Sequence, residues 1–306
     1  RVYPMQIIKD YVFSFSKNNK PVAKVKDGEV LLFKTEDCFG NQIQKEGDLV
    51  TEIDFTHTNP ATGPVYIEGA EPGDTLAVDI LKIDVADKGI ISTLEGYGAL
   101  WNSCELRTKI VDVKDGYIQF NDVKVPCNPM IGVIGTAPDG EDVPSGYSFN
   151  GGGNMDSRII TAGTTVYFPV RVEGALLSMG DVHAAMGDGE VCETGVEIVA
   201  DITVRVRIIK NFKLNWSVTE TADCWFVNTN GKNCDIAIQR GYEELQRLIM
   251  DAYGWDATDA CMYISIAGRL ESNQSVLDIN ETDEEGDTFR VGIPKTSQKT
   301  RLIPSK

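Results

Sequence analysis

The chain has 306 residues, of which 42% are hydrophobic and 25% charged, and its formal net charge is −17. Such a composition can bury a sizeable core and lies far from that of disordered chains. The acidic balance argues against nucleic acid or an anionic membrane as partner, because both need clustered Lys and Arg.

In chain order, the first residues carry no apolar leader, and no later run approaches the ~20 apolar residues of a membrane-spanning helix. Segments 30–35 and 75–83 read as strands, the second opening after a turn at Glu71-Pro72-Gly73-Asp74. The same alternation and β-branched content recur at 117–125, 164–172 and 199–209, with Asp115-Gly116 as a tight connection. Short strands separated by Gly and Pro turns predict a β-sandwich of jelly-roll type. Beyond Lys210 the period changes. Over 235–253, Ile236, Ala237, Gly241, Leu245, Leu248, Ile249 and Ala252 recur at helical spacing, and Gly254 ends the helix. Thr258 is the expected N-cap of a shorter helix reaching Ile266, and 278–287 reads as an acidic solvated loop. The expected class is therefore mainly β with added C-terminal helices. A soft boundary separates a body over 1–210 from an α/β part over 211–306, and the two can equally form one domain.

The seven cysteines, Cys38, Cys104, Cys127, Cys192, Cys224, Cys234 and Cys261, are scattered and include no Cys-x-x-Cys pair. That argues against a structural all-thiolate zinc site and for reduced thiols in a cytoplasmic protein. Cys192 has acidic neighbours, which disfavour a thiolate nucleophile, and there is no Gly-x-Ser-x-Gly elbow.

The chemistry concentrates at 179–197, which holds His183, one of two histidines, with Asp181, Asp188 and Glu190 close by. On an extended strand Asp181 and His183 leave the same face, and Asp188 and Glu190 repeat that spacing after a Gly-containing bend. One imidazole with several carboxylates calls for a divalent cation or a shared proton, since the acids otherwise repel. A donor set of one nitrogen and several oxygens suits zinc, manganese or calcium. A lone histidine would more often be a hydrogen-bonded core residue; the adjacent acids shift the balance towards a ligand. Upstream, Asp156 ends a glycine-rich stretch, Gly151-Gly152-Gly153-Asn154-Met155-Asp156, equally readable as a turn or as a ligand-facing loop. Asp54 and His57 form a second, lower-ranked acid–histidine pair. Tyr97, Trp101, Tyr147 and Phe149 are the aromatics considered as pocket walls.

Gly180-Asp181-Val182-His183-Ala184-Ala185-Met186-Gly187-Asp188-Gly189-Glu190 resembles the acetamidase/formamidase signature Gly-Asp-x-His-Ala-x-x-Gly-Asp-Gly-Glu. Asn59-Pro60-Ala61-Thr62-Gly63-Pro64, continuing to Gly69-Ala70-Glu71-Pro72-Gly73-Asp74, and Gly152-Gly153-Asn154-Met155-Asp156 resemble the same family in the same order. The resemblance implies a β-sandwich with helices, assembled as a homodimer or larger oligomer, that hydrolyses small linear amides to ammonia and a carboxylate. With it, Asp156, Asp181, His183 and Asp188 become the expected metal contacts, Glu190 the general base, and Asn154 the residue that orients the amide. Zinc is the first expectation, because a bound water with a pKa near about 7 suits hydrolysis at neutral pH. The chain departs from the family pattern where Asn59 and Gly151 stand in place of histidines. His57, two residues from Asn59, can face the same side of a strand. That departure keeps alive a metal-stabilised binding protein without catalysis, and an amidase of a larger or cyclic amide.

Overall fold

The computed structural model describes residues 4–275 and 286–306, so the expected acidic loop lies, up to residue 285, outside the described residues. Among these, a nine-stranded sheet runs in the order Gln6–Ile8, Val30–Thr35, Ala200–Ile209, Thr75–Val85, Thr165–Pro169, Val218–Glu220, Cys224–Gly231, Asp287–Pro294 and Arg269–Ser272. A seven-stranded sheet contains Ser148–Phe149, Gly152–Asn154, Met130–Gly135, Leu177–His183, Ala61–Ile67 and Tyr11–Val12, with Ala23–Val25 paired to Ala61–Ile67.

The sheets face one another. Leu31, Phe33, Val78, Ile80, Ile202 and Val204 from the larger sheet share one core with Val65, Ile67, Ile131, Ile134, Leu177 and Met179 from the smaller. Each fully buried aliphatic side chain there contributes about 1.5–3 kcal/mol relative to exposure. Strand Ala200–Ile209 alternates buried and less buried residues over most of its length, as an antiparallel strand with one covered face does. Two helices follow: α1, Cys234–Tyr253, and α2, Ala257–Ala267. On the far side of the larger sheet, Leu245, Leu248 and Ile249 of α1 pack with Trp225, Val227, Val291 and Ile293. The fold is thus mainly β with C-terminal helices. Position 210 falls between two strands of one sheet, because Thr165–Pro169 pairs with Val218–Glu220.

Several local expectations shift. Segment 117–125 is a hairpin, Tyr117–Phe120 and Val123–Pro126, because Asn121 adopts a left-handed φ of 51° and turns the chain. Asp115 and Gly116, at φ 52° and 80°, make the tight connection before it. α1 ends on left-handed Gly254. The cap of α2 is Asp256, not Thr258: its carboxylate accepts from Asp259 N at 2.8 Å, two residues earlier than expected.

Candidate active site

Strand Leu177–His183 is buried on both faces. Met179, Val182 and Ala184 enter the sandwich core, while Asp181 and His183 carry polar atoms to the opposite side. The strand is not regular, because Asp181 has φ 55°. Asp156 and Glu190 also take left-handed backbone, at φ 45° and 47°. Such positions cost of order 1–3 kcal/mol each and persist only where the surroundings hold them. Asp156 is held by its N–H on Gly132 O at 3.1 Å, and Glu190 by its N–H on Gly187 O at 3.2 Å. Gly132 has a steric role. A Cβ there would sit 2.4 Å from Asp181 Oδ2 and 2.5 Å from Asp156 Oδ1.

The carboxylates surround one imidazole. His183 Nε2 lies 3.0 Å from Glu197 Oε1, 3.2 Å from Asp181 Oδ1, and 3.8 Å from both Asp156 Oδ1 and Glu190 Oε1. All five side chains are 5% exposed or less. Gln274 Nε2 donates to Asp156 Oδ2 at 2.9 Å and Glu190 Oε2 at 2.7 Å. Burial, reinforced by neighbouring acids, pushes the Asp156 carboxyl well above its ordinary value. Glu190 is likewise raised by burial, against the pull of His183. Glu197 is pushed up to about 8 by burial. Asp181 goes the other way: burial opposes ionisation, but His183 together with hydrogen bonds to Glu197 and Asp156 more than offsets it. Burial disfavours a charged His183, yet Glu197 and Asp181 hold it well above the usual imidazole value. Asp156 Oδ1, Glu197 Oε2 and His183 Nδ1 are buried without a hydrogen-bond partner among the described residues. Buried acids this close together, with oxygens that lack a donor, call for a cation or for shared protons.

A cavity of about 630 Å³ opens onto this cluster. Its floor includes Asn154, Asp156, Asp181, Glu190 and Glu197, and its walls include Phe39, Val50, Phe55, Leu94, Tyr97 and Tyr147. Asn154 Nδ2 donates to Gly146 O, and its Oδ1 has no donor among the described residues. A larger groove of about 750 Å³ lies along α1 and α2 and carries none of the clustered acids, so the smaller cavity is the chemically relevant one.

Of the expected residues, Asn154, Asp156, Asp181, His183 and Glu190 come together, and Asp188 does not. Gly189 and Glu190, at φ 90° and 47°, are not extended, so same-face spacing fails in that bend. The Asp188 carboxylate instead accepts from Arg290 Nη2 at 2.9 Å and is 42% exposed. Asp54 and His57 also lie apart, as an exposed pair 2.8 Å long. Asn59 lines the cavity. At Gly151 a Cβ would meet Phe149 at 2.5 Å and Thr136 O at 2.9 Å, so a histidine has no room there. Of the four aromatics, Tyr97 and Tyr147 reach the cavity wall; Phe149 packs on Phe15.

Three site residues were not legible beforehand. Glu197 pairs across strands with His183, and its place between Val196 and Ile198 was the available signal of an inward acid. Cys38 and Gln274, which also line the cavity, come from distant parts of the chain.

Comparison with known proteins bears on this geometry. The model of the "Acetamidase/Formamidase family" matches residues 15–147 and 142–271. A crystal structure of a predicted acetamidase/formamidase from Thermoanaerobacter tengcongensis superposes with TM-score 0.89 at 40% identity, covering 95% of this chain and 96% of that one. An acetamidase structure from Bacillus halodurans gives TM-score 0.89 at 35% identity, covering 94% and 97%. The formamidase of Methylophilus methylotrophus is 28% identical over 251 residues, 62% of each chain. The matched region spans 61–65% of the length of the curated relatives.

Proposed function

The chain belongs to the acetamidase/formamidase family, and on that premise we propose that it hydrolyses the C–N bond of small linear amides, releasing ammonia and a carboxylate. The observation that carries the reading is the buried ring of Asp156, Asp181, Glu190 and Glu197 around His183 at the floor of a cavity.

The donor set fits a divalent cation, on the strength of the orphaned Asp156 Oδ1 and Glu197 Oε2. Asp156, Asp181 and His183 would hold it, with zinc the first choice and calcium or manganese the alternatives. When bound, such an ion supplies Lewis acidity towards the amide carbonyl and lowers the pKa of water. The chain's own groups do the rest. Glu190, raised above its usual range, takes the proton of the attacking water and returns it to the departing nitrogen. Asn154 offers its donor-less Oδ1 to the substrate NH2, and so orients the amide. Gln274 fixes the spacing of Asp156 and Glu190 by donating to both. The apolar wall of Phe39, Val50 and Leu94 accommodates a short acyl chain and limits water.

A second reading keeps the reaction and enlarges the substrate: about 630 Å³ falls within the range of pockets for much bulkier ligands than acetamide. The apolar surface on and after α2, with Met262 61%, Ile266 85% and Leu270 47% exposed, supports self-association into a homodimer or larger oligomer. Reduced thiols support a cytoplasmic setting; all seven cysteines are free. Ammonia release from a graded series of amides, formamide through to a lactam, tests both substrate readings.

A further inference from the structure

The clustered donors fall into two groups. Asp156, His183 and Glu190 form one, and Cys38, Asp181 and Glu197 the other; in each, one donor atom per residue lies within 4.8 Å of the rest. We propose that Cys38, Asp181 and Glu197 form a second cation seat, which takes a thiophilic divalent transition-metal ion beside the first and uses the Cys38 thiolate as a ligand. This inference rests on the metal reading above.

Charge balance is the first argument. Metal ligands bind deprotonated, so an ion entering this cluster displaces the protons that burial and His183 otherwise hold there; the four carboxylates then place four negative charges in a space nearly closed to solvent, and one divalent ion offsets only two. A coordinating thiol loses its proton and adds a fifth. Two divalent ions then leave a single negative charge, that of a base free to carry a proton. The second argument is an atom without a partner. Glu197 Oε1 accepts from Gly195 N at 3.1 Å and faces His183, whereas Oε2 of this buried residue has no hydrogen-bond partner among the described residues.

The third argument is placement. Asp37 Oδ1 accepts from Phe39 N and Asn41 N, which closes the turn carrying Cys38, and Cys38 O accepts from Asn59 N at 2.7 Å. The thiol is thereby held at the cavity, 9% exposed, beside two acids. As an unligated thiol, Cys38 would simply belong to the small apolar cluster of Phe39, Ile43, Val50 and Ile90. As a ligand it makes the seat soft, which selects zinc or cobalt over calcium or magnesium. Asp181, with two carboxylate oxygens, can serve both seats.

The test measures metal content and a sulfur signature, neither of which depends on turnover. Protein purified without chelator should carry two equivalents of transition metal per chain, and protein produced in cobalt-supplemented medium should show the near-ultraviolet thiolate-to-cobalt charge-transfer band. Cys38→Ser should drop the content to one equivalent and abolish the band. Cys192→Ser, whose thiol faces Ser92 O and Thr194, should keep both. One equivalent in the unmodified protein without the band overturns the second seat and leaves the first standing. No metal at all overturns both. Two equivalents and an undiminished band in Cys38→Ser remove Cys38 from the site. Because the unmodified protein alone gives a decisive stoichiometry and spectrum, poor folding of a variant does not shield the proposal.

Discussion

His183 and Glu197 face each other on adjacent antiparallel segments, with 3.0 Å between Nε2 and Oε1. The pairing arises because the chain leaves strand Leu177–His183, turns through the Gly187–Gly195 region, and returns with Val196–Ile198 bonded to Val182–Ala185. A carboxylate that holds a ligand or catalytic imidazole typically matters by a factor of about 10–100. Glu197→Gln should therefore lower turnover by about that factor while leaving the circular dichroism unchanged, as steady-state ammonia release would show. Unaltered turnover would make Glu197 a bystander.

Gly132→Ala should be costly despite adding one methyl group. The new Cβ would press on Asp181 Oδ2, Asp156 Oδ1 and the Asp181 carbonyl, none of which can retreat far in a buried site. Overpacking of this kind costs about 1–3 kcal/mol. A fall in melting temperature together with reduced activity is expected; a silent substitution would mean that the acids sit farther from Gly132 than the structure places them.

Gln274→Glu should impair the protein more than Gln274→Ala. Alanine removes the donor shared by Asp156 and Glu190, whereas glutamate also adds another negative charge beside them. Comparing kcat and KM for the two variants checks the order, and equal effects would show that the lost donor alone accounts for the defect.

Away from the site, Glu220 gives a pH-dependent prediction. Burial alone would raise its carboxyl, but Arg301, Lys295 and Tyr167 together hold it below the ordinary value. A depressed carboxyl stabilises the fold above its unfolded value, and that contribution is lost as pH falls through the folded one. Relative to Glu220→Gln, the unmodified protein should be more stable by about 2 kcal/mol at neutral pH, with the gap closing under acid. Denaturant melts at several pH values measure it; a gap that widens under acid would contradict the assignment.

Much of the fold was legible because period and turn chemistry act locally. Strand Val30–Thr35, the tight Asp115-Gly116 turn and α1 ending at Gly254 all follow from residues within a few positions. The site was only half legible, for the opposite reason. Asp181 and His183 keep their two-residue relationship even with Asp181 in a left-handed conformation, but that relationship fails for Asp188 and Glu190, where consecutive positive φ values redirect the chain. Asp188 consequently meets Arg290, a residue 102 positions away. Cys38 and Gln274 come from the segments just after strands Val30–Thr35 and Arg269–Ser272, far from the motif in sequence, and no local spacing encodes those contacts.

The central claim concerns Glu190 and the amide bond, and ammonia release tests it most directly. The unmodified protein should release ammonia from at least one of formamide, acetamide and propionamide, and Glu190→Gln should lower that rate by about 10²–10⁴-fold, the usual effect of losing a general base. No ammonia from any of the three, at any metal loading, would contradict the account. An equally active Glu190→Gln would leave the reaction standing and move the proton shuttle to another acid of the cluster.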